Sequence, residues 1–318
     1  MSALEPPRVT IVLPVYEDVE ASSQLFREIR RNLGDAIRII AVDDGSVRNP
    51  LPPSAIADAG LNGVVLKLRR NVGHQRAIAI GLSYAADTLD EDSVVIAMDS
   101  DGEDRPETIS ELLAALAPPD TDVVVATRKS RVETLRFKAF YAVYKRLFSA
   151  LTGRRIGFGN FMCCRMPAVR RLVAMQETWI HVAASVLNSK LRVKSCPLDR
   201  GARYAGRSKM NFVGLALHGF RALMVFAEDV LVRVGIACTL VAGLSIFGSL
   251  LALVLKAVGF ATPGWFSLVM GILLLVFLQT AALTLIVLML SGMLRNGGVM
   301  PLGAYKEFIS EVLDVPGR

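Results

Sequence analysis

The stretch Ser93-Val94-Val95-Ile96-Ala97-Met98-Asp99-Ser100-Asp101-Gly102-Glu103-Asp104 decides how this chain folds. A short, unbroken apolar and β-branched run reads as a strand buried on both faces, the habit of parallel sheets. The acidic turn after it puts Asp99 and Asp101 at the carboxyl end of that strand, where open α/β sheets bind ligands. Two carboxylates aimed at one spot repel each other unless a cation offsets their charge. A hard divalent ion, Mg²⁺ or Mn²⁺, takes oxygen ligands and bridges such carboxylates to a substrate's phosphates, as a nucleoside diphosphate leaving group requires. Acidic turns after strands are common, so the pair by itself also reads as a plain turn.

Outward from this segment the same alternation recurs. Strand-like runs at 9–13, 37–42, 63–68, 94–98 and 122–126 alternate with helix-like stretches at 19–32, 74–87 and 106–117, the pattern of a mostly parallel, Rossmann-like α/β sheet. Each run ends in polar residues: Pro14-Val15-Tyr16-Glu17-Asp18, then Asp43-Asp44-Gly45-Ser46, then Arg69-Arg70-Asn71-Val72-Gly73-His74. A carboxylate at such an end accepts hydrogen bonds from a nucleobase or ribose, although Asp and Gly also simply make turns. Tyr16 stacks on a base or packs, and His74 is a ligand, a base or merely the first residue of a helix.

The last third of the chain is different. Asn211, His218, Arg221 and Glu228 recur at helical spacing in an otherwise apolar stretch, which suits a helix lying in the membrane interface; a buried core helix has the same pattern. Two apolar runs follow, 234–255 and 265–294, each at or above the ~20 residues a helix needs to cross a bilayer. Arg233 precedes them and Arg295 and Lys306 follow, against Lys256 alone near the connector, so both ends are expected on the cytoplasmic side of a transmembrane hairpin.

Charge is uneven. The chain carries +7 overall, yet residues 128–209 hold 19 Lys and Arg against 3 Asp and Glu. A basic block leading into apolar spans meets anionic lipid head groups more naturally than nucleic acid, and no nucleic-acid partner is expected. The four cysteines, Cys163, Cys164, Cys196 and Cys238, make neither a disulfide framework nor a metal motif. A strand-like run opens the chain almost at once, so no cleaved signal is expected.

Taken together, these groups resemble the family 2 glycosyltransferases with a GT-A fold, and among them the dolichyl-phosphate mannose synthase-like and undecaprenyl-phosphate glycosyltransferases. The resemblance rests on Pro14-Val15-Tyr16, Asp43-Asp44-Gly45-Ser46, Asn71-Val72-Gly73-His74-Gln75, Asp99-Ser100-Asp101 with Arg105-Pro106-Glu107, Arg128 with Arg131, and Arg203-Tyr204-Ala205-Gly206-Arg207-Ser208-Lys209. It implies a catalytic domain over 1–210, an interfacial helix over 211–233, the hairpin over 234–294 and a cytoplasmic tail over 295–318. It implies further that Pro14, Val15, Tyr16, Asp18, Asp43, Asp44, Gly73 and Ser100 line the nucleotide site, and that Asp99, Asp101 and Glu103 surround Mg²⁺ or Mn²⁺. Arg128, Arg131, Arg203, Ser208 and Lys209 then hold the acceptor phosphate, with Asp99, Asp101, Arg128, Arg203 and Lys209 as the catalytic set. The partners implied are a nucleoside-diphosphate sugar, an undecaprenyl-type polyprenyl phosphate, the bilayer and further copies in a homo-oligomer.

Three departures from the family's pattern matter. Glu17-Asp18 stands where the family often has Asn-Glu, and Glu103 where it often has Gln, which adds negative charge beside the metal. Asn160 stands where the family often carries Asp. An alcohol acceptor needs a carboxylate base to take its proton, whereas a phosphate monoester, with a second pKa of about 6, is already largely ionised at neutral pH. The expected reaction is therefore an inverting, in-line displacement by a lipid phosphate at the cytoplasmic membrane face. A lipid-hydroxyl acceptor is the rival enzyme reading, and a non-catalytic membrane scaffold the rival from another class.

Overall fold

The computed structural model describes residues 8–128, 135–154, 157–204, 212–260, 262, 264–295 and 303–315. Arg131, Ser208 and Lys209 lie outside the described residues. The chain divides into two compact units, one formed by Met1–Phe140, Ile156–Val225 and Val299–Arg318, the other by Tyr141–Arg155 and Phe226–Gly298.

The first unit is built on an eight-stranded sheet. Its strands are β1 (Val9–Val15), β2 (Arg38–Asp43), β3 (Asn62–Leu68), β4 (Val94–Ala97), β5 (Val123–Arg128), β6 (Phe158–Arg165), β7 (Val193–Leu198) and β8 (Ile309–Val315). They lie in the order β7-β5-β6-β4-β1-β2-β3-β8. β6 runs antiparallel to β4 and β5, and β8 antiparallel to β3; the remaining pairings are parallel. The carboxyl ends of β1 to β5 and β7, and the start of β6, therefore share one edge.

The helices are α1 (Val19–Leu33), α2 (Ser54–Ala57), α3 (His74–Thr88), α4 (Ile109–Leu116), α5 (Leu135–Thr152), α6 (Met166–Val173), α7 (Val182–Asn188), α8 (Phe212–Met224), α9 (Ala227–Ala257) and α10 (Trp265–Arg295). Side chains alternate across a strand, so Ile11, Leu13 and Ile39 join Leu25, Phe26 and Leu112 from α1 and α4 on one face, while Val12, Ile40 and Val42 join Ile78 and Val169 from α3 and α6 on the other. These two buried layers make the α/β sandwich expected from the strand runs. The stretch expected as one helix from 106 begins with a 3₁₀ turn, Pro106–Thr108, before α4. The segment after α10, expected as a tail, supplies β8, pinned beside β3 by Tyr305 Oη to Asp87 at 2.8 Å and Arg69 Nε to the Glu307 carbonyl at 3.0 Å.

α8 presents Leu217, Phe220 and Met224 outward and turns Ala222 inward, and Val225 just after it is also buried. His218 belongs to the inward side, in contact with His181. Of the polar stripe read in the sequence, Arg221 is exposed while His218 is turned onto His181, and the exposed face is otherwise largely apolar.

The second unit contains, beside the larger part of α5, a helical hairpin of α9 and α10. α9 and α10 are 31 residues each, and over their candidate membrane spans only 11% and 6% of residues are buried, too few for core helices of a water-soluble fold. Both are long and apolar enough to cross a bilayer.

Candidate functional site

The loops at the shared sheet edge are tied to one another through backbone amides. Asp43, buried at the end of β2, accepts the amides of Ser46 and Leu51, each at 2.9 Å. Asp44 accepts those of Val72 and Gly73 at 2.7 and 3.0 Å, stitching β2 to the loop before α3; burial nevertheless pushes its carboxyl above the usual range. Gly45 between them has φ +68°, and a Cβ there would lie 2.5 Å from the Arg70 carbonyl carbon, so the close approach of the two loops requires glycine. Glu17, with φ +49°, receives the amides of Val47, Arg48 and Asn49 at 2.7, 3.0 and 2.8 Å, which hold its carboxyl low. Pro14 and Val15 belong to β1 itself; Tyr16 and Asp18 follow it, Tyr16 partly exposed and Asp18 capping α1 through its carbonyl to Ser22. Asp43 and Asp44, expected at the nucleotide site, thus direct their carboxylates to backbone amides of the loops at this edge.

After β4 the acidic turn meets two arginines from the segment following β7. Arg203 lies 2.8 Å from Asp101 and donates to Glu103 at 2.6 Å. Arg200 pairs with Glu103 and approaches Asp99 at 3.6 Å and Asp104 at 3.7 Å. Gly102, at φ +85°, faces the ring of Tyr204, where any Cβ would collide, while the Tyr204 amide donates to the Asp101 carbonyl at 3.0 Å. The turn and the arginine segment thus form one structure. Burial pushes Asp104 up to about 7, with the charge of Asp99 adding to it, and raises Asp101 as well. Burial also works to raise Asp99, but His74 and the two arginines outweigh it and hold Asp99 below the usual range.

A third group adjoins this one. His74 Nε2 lies 3.1 Å from Asp99 Oδ1 and 3.0 Å from Asn160 Nδ2. Asn160 Oδ1 accepts from Gln75 at 3.2 Å, and Gln75 Oε1 accepts the Val182 amide at 2.8 Å. The His74–Asp99 contact is electrostatic rather than a well-aligned hydrogen bond, and Asp99 Oδ1 is buried without a hydrogen-bond donor among the described residues. Burial disfavours a proton on His74, yet Asp99 and its acidic neighbours prevail and raise its affinity for one.

The family model described as glycosyl transferase family 2 matches residues 10–179, more than half of the chain. The chain belongs to that family. It is 29% identical over 217 residues to the undecaprenyl-phosphate 4-deoxy-4-formamido-L-arabinose transferases of Salmonella paratyphi B and Salmonella newport, covering 65% of this chain and 64% of theirs. The chain thus spans less than two thirds of the length of these relatives. Among solved structures, glucosyl-3-phosphoglycerate synthase from Mycobacterium tuberculosis, in complex with Mn²⁺, UDP-glucose and phosphoglyceric acid, superposes with a TM-score of 0.50 at 17% identity, over 71% of this chain and 79% of that one. A further mycobacterial protein gives 0.51 at 15% identity over 70% and 74%. The shared architecture is the GT-A fold.

Family membership makes a divalent ion the natural question for the acidic turn. Among the described residues, no three His, Cys, Asp or Glu side chains are arranged to hold a metal. The donor set nevertheless fits one: hard carboxylate oxygens, one of them buried and lacking a donor, suit an ion that takes its other ligands from a diphosphate. Glu103, whose extra negative charge sets this chain apart from the family's usual Gln, has two guanidinium partners, Arg200 and Arg203.

Of the expected site residues, the fold gathers Asp99, Ser100, Asp101, Glu103 and Arg203 at one place and sets Gly73 and the ends of β1 and β2 along the same edge. Arg128 ends β5 on that edge, exposed. Arg200, Asp104 and Gln75 were missed. Arg200 was legible only as one more charge in the basic block, and Gln75 as a helix residue following His74.

Proposed function

We propose that this chain is a glycosyltransferase that moves a sugar from a nucleoside-diphosphate donor to a polyprenyl phosphate, with inversion, at the cytoplasmic face of a membrane to which α9 and α10 anchor it. The observation that carries this reading is the meeting of Asp101 and Glu103 with Arg203 at 2.8 and 2.6 Å: acidic groups for a cation-bound diphosphate stand directly against cations for a second phosphate. The named relatives that transfer to undecaprenyl phosphate support the choice of acceptor.

In this reading the loops after β1, β2 and β3 bind the nucleoside, held in shape by Glu17, Asp43 and Asp44. Asp99, Asp101 and Glu103 would hold Mg²⁺ or Mn²⁺, which supplies charge stabilisation to the departing diphosphate. Arg203, with Arg128, Arg131, Ser208 and Lys209, collects the acceptor; guanidinium groups match phosphate oxygens in pairs. The acceptor oxygen attacks the anomeric carbon opposite the diphosphate, and the C–O bond to the donor breaks as the new one forms. No protein base is needed, since the acceptor phosphate is already ionised. Asn160 fits that chemistry, because its amide offers the acceptor side no proton acceptor of a base's strength. Exposed apolar side chains of the hairpin are covered by lipid and by further copies in a homo-oligomer.

The test is direct. Detergent-purified protein with Mn²⁺ or Mg²⁺, undecaprenyl phosphate and a panel of nucleotide sugars should yield a new glycosylated lipid phosphate by mass spectrometry. Product on diacylglycerol or ceramide and none on undecaprenyl phosphate would refute the assignment of the acceptor.

A further inference from the structure

All three histidines of the chain, His74, His181 and His218, are linked through the start of α7. The first-turn amides of a helix are donors without an intrahelical partner, and here two of them have side-chain partners. The Ala184 amide donates to His181 Nδ1 at 3.2 Å, while the Val182 amide donates to Gln75 Oε1 at 2.8 Å. A backbone N–H can only donate, so each of these bonds fixes the direction of everything beyond it.

On the first branch, His181 Nδ1 is an acceptor, so the neutral ring carries its proton on Nε2. That Nε2 lies 3.1 Å from His218 Nε2, which must then be the unprotonated nitrogen, leaving His218 with its proton on Nδ1. On the second branch, Gln75 must direct its oxygen to Val182 and its NH₂ to Asn160 Oδ1, so Asn160 presents its own NH₂ to Nε2 of a neutral His74, whose ring proton is then on Nδ1; a proton drawn onto Nε2 by Asp99 would break that contact. His74 stands 3.1 Å from Asp99. His181 and Gln75 are almost wholly buried, at 3% and 4% exposure, so water does not replace these partners.

We infer that His218 and Gln75 are positioning residues for the transfer site, acting through the start of α7, Asn160 and His74 on Asp99. The seating of α8 is thereby coupled to the orientation of the groups beside the acidic turn. α8 leads within three residues into α9, so the helix nearest in sequence to the membrane anchor is also the one hydrogen-bonded to the root of the relay. This inference rests on the proposed transfer only for its kinetic test.

With three histidines in the chain, ¹⁵N-histidine labelling gives three ring systems in detergent, and the relay sets opposite tautomers for His181 and His218 at neutral pH. Identical tautomers, or a freely averaging His218, would overturn it. Replacing His218→Leu removes the acceptor for the His181 Nε2–H; the His74 ring signals should move although residue 74 is untouched. Turnover should fall between about tenfold and a hundredfold with donor KM unchanged, the range for small misplacement of reacting groups. His218→Gln, whose oxygen still accepts from His181, should restore most of the loss. Gln75→Leu should move the His74 signals while leaving the His181 and His218 tautomers intact, which keeps the test decisive if His218→Leu folds poorly. Unmoved His74 signals in both variants would refute the coupling. If the signals move but no sugar reaches any polyprenyl phosphate, the relay stands and the proposed reaction falls.

Discussion

The Arg203 guanidinium lies 2.8 Å from the Asp101 carboxylate, joining a residue just past β4 to one just past β7 across more than a hundred residues of chain. Both groups are only partly exposed, so the pair is neither a screened surface contact nor a fully dry one. Its consequence is reciprocal: a ligand cation that neutralises Asp101 frees Arg203 for an anion. In the proposed reaction the donor and acceptor sites would share this one electrostatic element.

Replacing Arg203→Ala is therefore expected to raise the KM for undecaprenyl phosphate by on the order of tenfold, about 1.4 kcal/mol of lost binding. Initial rates against acceptor concentration measure it, and an unchanged KM would remove Arg203 from the acceptor site.

Asp101→Asn keeps an oxygen for the Glu103 amide, which Asp101 accepts at 3.0 Å, but loses the charge. Transfer should drop by roughly a hundredfold or more, the scale seen when one electrostatic partner of a reaction is deleted, with little change in melting temperature. Wild-type turnover in this variant would remove the metal role assigned to the pair.

Much of this was legible beforehand because β-branched runs and their acidic ends sit close together in sequence. Strands β1 to β5 and helices α1 and α3 lie within a few residues of their expected bounds. β6, β7 and β8 were not foreseen. β7 contains Pro197 and is mostly exposed at a sheet edge, and β8 follows 31-residue helices that mask its relation to β3. The Asp99 and Asp101 pair was visible as a spacing, whereas Arg200 and Gln75 act through tertiary contacts that no spacing encodes. The loop-tying role of Asp43 and Asp44 was half visible, because Asp and Gly at a strand end also make turns, but their amide partners at 51, 72 and 73 are set by tertiary structure.

Mild acidification pulls stability in two directions: Asp104, raised to about 7, takes a proton more readily in the folded protein and gains, whereas His181 loses. Burial, together with the charge of His218, lowers His181 from 6.5 to about 3; His218 is also lowered, by burial and by His74 and Arg221, with Asp99 opposing. The folded protein refuses a proton that the unfolded chain accepts below about 6.5, so this contribution is complete above that pH and is lost as the pH falls toward 3. Acidifying from pH 7.5 to 5.5 should cost roughly 1 kcal/mol for His181. His181→Asn, which can still cap α7, should remove that loss, so that the variant keeps more of its melting temperature than the parent chain on going from pH 7.5 to 5.5; an identical change in both would refute the assignment.

Gly45→Ala should lower the melting temperature by several degrees and raise donor KM. The left-handed backbone costs about 1 kcal/mol for a residue with a Cβ, and forcing the loop off Arg70 about 1–3 kcal/mol more. Thermal unfolding in detergent checks the first effect and donor titration the second.

β8 gives the molecule an order of assembly. Lys67 in β3 faces Glu311 in β8, so one rim of the sheet stays open until the chain has been made past both greasy helices. A truncated product would expose the flank of β3 as a template for sticking to other chains. The flank of β3 is thus shielded by a strand that is made only after both apolar helices.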